Sequence, residues 1–204
     1  TQLVNIVWSL ARLGVTWSEL SNNLREEMLS VIQSKCSSLN EQHISNVLYS
    51  LGTMGVLWSS LPLSLRTGLL SGLKRVGDTM KVSDLAHSKI GLGAMSLSWE
   101  HLPDCVQATL QDGLLKTSGE ICAQGLSMTL TGLAKLRCVW SSLPKDVSHA
   151  LTSSLSRVAA DINPKQLASV LGGLSNVGCG WSGLEREGQE AIGRRLVDCV
   201  EHMT

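Results

Sequence analysis

Apolar residues recur along the chain with two periods, a short one of three to four residues and a long one of 41 residues. The short period is the spacing of one face of an α-helix. It is first seen in Leu3, Ile6, Val7, Leu10 and Leu13. The long period repeats a leucine without insertion or deletion, in a column formed by Leu10, Leu51, Leu92, Leu133 and Leu174. Such a period is typical of repeat proteins, and the helical spacing favours a solenoid over a propeller.

Each 41-residue unit is predicted to contain two helices, A and B, joined by a short turn. Glycine follows helix A as Gly14, Gly55 and Gly178, where a left-handed residue can end a helix. The turn holds a tryptophan column made of Trp17, Trp58, Trp99, Trp140 and Trp181. Proline comes next as Pro62, Pro103 and Pro144. Because proline is favoured at a first helical position, helix B is predicted to begin there.

One helical hairpin cannot bury both of its apolar stripes, so neighbouring hairpins have to stack. We therefore predict an all-α fold, a right-handed α-α superhelix of five helical hairpins that forms a single array over residues 1–204. The predicted repeats span residues 1–41, 42–82, 83–123, 124–164 and 165–204. Neither end has the polar capping repeat that a solenoid needs, so we expect this array to be part of a longer one.

The charge and cysteine content of the chain narrow its expected partners and compartment. Seventeen basic and seventeen acidic side chains cancel, so no overall charge draws the chain to nucleic acid or to an anionic membrane. No apolar run reaches the roughly 18–20 residues of a membrane helix, and no membrane partner is expected. Six scattered cysteines without a C-x-x-C pair favour free thiols in a reducing compartment, such as the cytosol, the mitochondrial matrix or the plastid stroma.

Residues for catalysis or metal binding do not form a recognisable pattern. The histidines occupy unrelated positions of the repeat, and no nucleophile, carboxylate or metal ligand stands at a matching distance from them. We therefore expect a binding scaffold rather than an enzyme, with no cofactor and no metal.

The segment from Leu3 to Gly14, followed by Trp17, resembles the first helix of the octotricopeptide and heptatricopeptide repeats. The fourth unit repeats the end of this motif as Leu133-Ala134-Lys135-Leu136. These are organellar helical-hairpin repeats, similar to those of FAST-kinase-like and RAP-domain proteins. The resemblance implies RNA binding in mitochondria, or alternatively in plastids, by a part of a ribosome or of an RNA-processing assembly that binds rRNA or an organellar transcript beside neighbouring proteins.

A second face of helix A is the first candidate for RNA contact. Its side chains differ between units, lie three or four residues apart and project away from the leucine column. The candidate contact residues on this face are Asn5, Arg12, Asn46, His87, Lys135 and Ser169. Small residues at its centre, including Ser50, Gly91, Gly132 and Gly173, would let a ligand approach closely. The alternative is an ordinary solvated or helix-packing face.

A basic column near the end of helix B is the second candidate. It consists of Arg75, Lys116 and Arg157, with Lys35 adjacent in register. One cation per repeat could follow a phosphate backbone. The alternative is that these cations complement the dipole at the C-terminal end of their helix.

The tryptophan column and the overall function also have two interpretations each. Exposed tryptophans could stack on bases, but one in every turn is more typical of a packing residue, so Trp58, Trp99 and Trp140 are predicted to be largely buried. The alternative to RNA binding is a protein-interaction solenoid of the HEAT or armadillo kind. A continuous basic stripe would favour RNA, and an apolar groove would favour a protein partner.

Overall fold

The computed structural model describes residues 2–201, and within them it contains ten α-helices and no strand. The helices are α1 (Gln2–Arg12), α2 (Asn22–Lys35), α3 (Glu41–Thr53), α4 (Leu63–Val76), α5 (Val82–Ala94), α6 (Asp104–Thr117), α7 (Ala123–Lys135), α8 (Lys145–Val158), α9 (Pro164–Asn176) and α10 (Arg186–Glu201). The all-α fold class predicted from the sequence is thus confirmed, with odd-numbered helices at the A positions and even-numbered helices at the B positions. The right-handed superhelix stays a prediction.

The helices form two layers. Each odd-numbered helix packs along the next odd-numbered one, from α1 through α9, and the even-numbered helices form the other layer with looser contacts between them. The close approach of α3 and α5 depends on two glycines, because a Cβ at Gly91 would overlap the backbone of Leu48, and one at Gly52 would lie 2.5 Å from the carbonyl oxygen of Gly91. The odd-numbered layer is therefore packed backbone against backbone where α3 meets α5.

The tryptophan turns join successive hairpins by backbone hydrogen bonds. The N–H of Trp58 donates to the carbonyl of Met95 at 2.9 Å, and that of Trp99 donates to the carbonyl of Leu136 at 2.6 Å. The side chain of Trp99 is buried, as predicted, whereas Trp58 and Trp140 are only partly buried against the core. The prediction of large burial is therefore right for Trp99 and too strong for the other two.

The leucine column forms a continuous core from the second unit onward. Leu51, Leu92, Leu133 and Leu174 are all buried, but Leu10 in the first unit is only partly buried. Ile6 and Leu13, which were predicted to lie on the same buried face, are 55% and 78% exposed. Their counterparts Val47 and Met54 are covered by the preceding hairpin, and within the described residues no hairpin precedes the first.

The glycines after helix A have the left-handed backbone conformation predicted for them. Gly14, Gly55 and Gly178 have φ values of 80°, 83° and 73°. The third and fourth units reach the same conformation without glycine, at Ser96 with φ 67° and Arg137 with φ 54°. A side chain makes this conformation costly by roughly 1–2 kcal/mol, so these two turns are strained.

Replacing Arg137 by glycine should raise the free energy of unfolding by about 0.5–1 kcal/mol, because it removes this strain. Urea unfolding followed by circular dichroism would measure the change. Gly55→Ala is the reverse control and should lower stability by a similar amount, since a Cβ at Gly55 would meet no atom within 4 Å and only the backbone is affected. Equal stability of Arg137→Gly and the parent would contradict this explanation of the turn.

The prolines before helix B lie one residue earlier than predicted. Pro62, Pro103 and Pro144 are the N-cap residues of α4, α6 and α8, with φ values of −52°, −56° and −54°. Their fixed φ directs the chain from the tryptophan turn into each helix, which is the role expected of them.

Candidate nucleic-acid interface

One side of the odd-numbered helices faces neither the even-numbered layer nor a neighbouring odd-numbered helix. We call this side the inner face, because side chains from α1 and α5 meet across α3 on it. By helical register it holds four columns, which are Gln42, Ser83, Gln124 and Lys165; Asn5, Asn46, His87, Met128 and Ser169; Trp8, Tyr49, Ile90, Thr131 and Gly172; and Arg12, Thr53, Ala94, Lys135 and Asn176.

The six candidates predicted on helix A all lie on the inner face. They are Asn5, Arg12, Asn46, His87, Lys135 and Ser169. The small residues placed between them pack mainly against a neighbouring helix, because Gly91, Gly132 and Gly173 are buried against the preceding odd-numbered helix. The close approach that these residues permit is thus made by a neighbouring helix, as in the helix-packing alternative.

An aromatic cluster on the inner face was not among the predicted site residues. The ring centroids of Trp8 and Tyr49 are 5.2 Å apart, those of Tyr49 and His87 are 4.8 Å apart, and those of Trp8 and His87 are 5.3 Å apart. All three side chains are only partly buried, so part of this aromatic surface meets solvent. A signal was present in the sequence, since Trp8 and Tyr49 are 41 residues apart and Trp8 shares a helix face with Asn5 and Arg12.

His87 contributes a neutral imidazole to this cluster at pH 7. Burial lowers the pKa of His87 below its usual 6.5, and the nearby carboxylate of Asp84 only partly opposes the effect. Asp84 is itself buried and accepts hydrogen bonds from the backbone N–H of Lys81 at 3.1 Å and from Ser45 Oγ at 3.3 Å. The ring of His87 therefore offers a flat surface and hydrogen-bonding nitrogens rather than a charge.

Two open pockets of about 530 Å³ each lie along the inner face. The first is lined by Trp8, Arg12, Lys81, Val82, Ser83, His87, Glu120, Cys122, Gln124, Gly125 and Met128. The second is lined by Thr131, Ala134, Lys135, Ser169, Gly172, Gly173 and Asn176. Arg12 and His87 thus share the first pocket, and Lys135 and Ser169 share the second. Asn5 and Asn46 line neither pocket.

The charges at the helical positions of the inner face have one sign, while Lys81 and Glu120 border its first pocket from the turns before α5 and α7. Its helical positions within the described residues carry no Asp or Glu, although the chain has seventeen acidic residues. Its cations are Arg12 at one end and Lys135 and Lys165 towards the other. Aromatic and apolar side chains lie between them, so the face is neither the continuous basic stripe nor the apolar groove that would decide between the two partner classes.

The basic column of helix B holds successive hairpins together. The guanidinium of Arg157 donates to the carbonyls of Ser118 and Ile121 at 2.9 and 2.8 Å, and Arg75 donates likewise to the carbonyls of Cys36 and Leu39. Arg195 does the same in the last unit, donating to the carbonyl of Ile162 at 2.6 Å. These hydrogen bonds satisfy backbone carbonyls in the turn of the preceding hairpin. This observed role is neither of the two that were predicted, a contact with a phosphate backbone or a complement to the dipole of the helix that carries the cation.

The other two cations predicted for RNA contact lie on the even-numbered layer. Lys116 forms an ion pair with Asp78 of the preceding hairpin, and Lys35 is exposed at the end of α2. Neither lines the pockets of the inner face. RNA contact by these residues and by Arg75 and Arg157 stays a prediction, and it would take place on a different surface from the aromatic cluster.

Comparison of the chain with protein-family models gives no match, and comparison with curated proteins gives none either. No group of three or more potential metal ligands is found among residues 2–201. No helix within the same range is long and apolar enough to cross a membrane. The candidate interface therefore rests on its own geometry.

Proposed function

We propose that this chain is a scaffold that binds single-stranded RNA along the inner face of its odd-numbered helices. The observation that carries the proposal is the partly exposed cluster of Trp8, Tyr49 and His87 on a face whose helical positions lack acidic side chains. Aromatic side chains stack on unpaired bases, and cations beside them attract the phosphates. No catalytic role is proposed for any residue.

The arrangement of cations on the inner face fits a strand that lies along it. Arg12 stands beside the aromatic cluster, and Lys135 and Lys165 stand on α7 and α9. A strand passing from α1 to α9 would place bases on the aromatic and apolar centre and phosphates near these cations. The resemblance of the helix A motif to organellar RNA-binding repeats supports the same function, and on that basis we propose a mitochondrial location.

The proposal predicts a specific dependence of RNA affinity on salt. Three phosphate contacts on a single strand give a slope of about −2 in log affinity against log salt. Replacing Arg12, Lys135 and Lys165 together by alanine should weaken binding of every single-stranded RNA and bring the slope close to zero, because phosphate contacts carry no sequence information. Fluorescence anisotropy of a labelled RNA of about ten nucleotides, titrated at several salt concentrations, would measure both effects.

A matched control removes the same charge from the other layer. Lys35, Lys74 and Lys145 are exposed and lie on α2, α4 and α8. Their triple alanine variant should keep the parental slope and affinity. If this variant lost the slope instead, the binding surface would be the even-numbered layer. If the parent bound no single-stranded RNA at low salt, or bound only a peptide partner, RNA binding would be rejected in favour of the protein-interaction solenoid.

A further inference from the structure

The first pocket contains polar side chains that make no interaction within the described chain. The cations Arg12 and Lys81 and the carboxylate Glu120 all line it, but neither cation forms an ion pair with Glu120. The side chains of Ser83 and Gln124 line it as well, and neither donates to nor accepts from another described residue. By contrast, several helical serines of this chain donate to a carbonyl of their own helix, as Ser9 does to the carbonyl of Asn5 at 2.8 Å.

The apolar part of the same pocket is lined by aromatic and aliphatic side chains. Trp8 and His87 supply aromatic surface, and Val82 and Met128 supply aliphatic and thioether surface beside it. A volume of about 530 Å³ lies within the roughly 300–1,000 Å³ of small-ligand sites. A planar base can therefore enter next to Trp8, with the unpaired polar groups around its edge.

The charges around this pocket select among the bases. A carboxylate only accepts hydrogen bonds, and guanine alone among the RNA bases presents two adjacent donors, N1–H and the 2-amino group, to a single carboxylate. Guanine also presents two adjacent acceptors, O6 and N7, which arginine and lysine recognise more often than any other base feature. Adenine presents a single donor, its 6-amino group, with one acceptor, N1 or N7, on either side of it, so it cannot satisfy both Glu120 and Lys81 in this way.

We propose that the first pocket is a guanine site, in which the base stacks on Trp8, Glu120 accepts from N1–H and the 2-amino group, and Lys81 donates to O6 and N7. Arg12, which lines the same pocket, meets the phosphate. This inference rests on the proposed RNA-binding function and assigns a base preference to one part of the same face. The remainder of the inner face binds without this preference.

The test compares free nucleotides and then short RNAs. Isothermal titration calorimetry should give at least about tenfold tighter binding of guanosine monophosphate than of adenosine, cytidine or uridine monophosphate. Glu120→Gln should remove most of this preference, because the amide presents a donor where guanine also donates. Trp8→Ala should weaken every nucleotide about tenfold, since it removes the stacking surface. Trp181→Ala is the matched control, because Trp181 is 54% exposed and lines no part of this pocket.

Further outcomes separate this inference from the RNA-binding proposal. A uridine decamer with one central guanosine should bind about tenfold more tightly than the plain uridine decamer, and Glu120→Gln should remove the difference. Equal binding of both RNAs would overturn the guanine site while leaving RNA binding intact. Binding of guanosine monophosphate without binding of either decamer would overturn RNA binding while leaving the site. Because Glu120 is exposed, its variant should fold normally, which keeps the test valid if Trp8→Ala is unstable.

Discussion

Replacing Lys89 by methionine should raise the free energy of unfolding by roughly 3 kcal/mol at pH 7. Lys89 stands in a core column that is otherwise aliphatic, with Leu48 and Leu130 at the same position of the neighbouring units, and only 1% of it is exposed. Its Nζ has no hydrogen-bond partner within the described residues. Burial lowers the pKa of Lys89 from 10.5 to about 8. At about 1.4 kcal/mol per pKa unit, this shift corresponds to the expected gain.

The gain should shrink as the pH rises, and the direction follows from the lowered pKa. Below about pH 8 the amine is charged in both the folded and the unfolded chain, so the folded chain bears the full cost of burying the charge. Above 10.5 the amine is neutral in both, and the cost is gone. The difference in stability between Lys89→Met and the parent should therefore fall from roughly 3 kcal/mol at pH 7 to about 1 kcal/mol at pH 10.

Urea unfolding at pH 7 and pH 10 measures this difference, with two controls. Burial raises the pKa of the neighbouring Cys138 thiol to about 11, so Cys138 also titrates in this range. Repeating the comparison in a Cys138→Val background removes that contribution, since Val15 and Val56 occupy the equivalent position. Lys145→Met removes an exposed charge and should change stability little at either pH. A Lys89→Met variant no more stable than the parent at pH 7 would contradict the unpaired, buried amine.

The periodic positions of the fold could be predicted from the sequence because every unit faces the same packing problem. The leucine columns and the glycine turns recur wherever the core and the left-handed turn require them, as at Leu92 and Gly55. Residues that depart from the repeat could not be assigned this way. Lys89 interrupts an aliphatic column, and Arg137 occupies a position that is glycine in other units. The sequence alone does not say whether the fold changes locally at such a residue or keeps its form and bears the energetic cost.

The candidate site was only half predictable, for a geometric reason. Helical periodicity places Arg12 and His87 opposite the leucine column, but Gly91 is only about one side-chain position further round the helix. Which of these residues meets the adjacent odd-numbered helix depends on the side from which that helix packs, and the period does not contain this information. The basic column was misleading for a similar reason, since the carbonyls that Arg157 meets belong to the preceding hairpin.

Replacing Gly91 by alanine should lower the free energy of unfolding by about 3 kcal/mol, at the upper end of the cost of overpacking a core. The added Cβ would overlap the carbonyl group of Leu48 and approach the backbone nitrogen of Tyr49, and neither can move aside without shifting α3. Since Tyr49 belongs to the aromatic cluster of the inner face, separation of α3 from α5 should also move it away from His87. Urea unfolding and RNA anisotropy on the same variant would measure both consequences.

Gly172→Ala is the matched control for this prediction. Gly172 occupies a helix interior in α9, as Gly91 does in α5, but a Cβ there would meet no atom within 4 Å. Alanine is the better helix former by roughly 0.5–1 kcal/mol, so this variant should be slightly more stable than the parent. A loss of stability in Gly91→Ala together with a gain in Gly172→Ala would locate the tight contact between α3 and α5. A Gly91→Ala variant as stable as Gly172→Ala would mean that the odd-numbered helices are not packed backbone against backbone, and that the inner face does not depend on that packing.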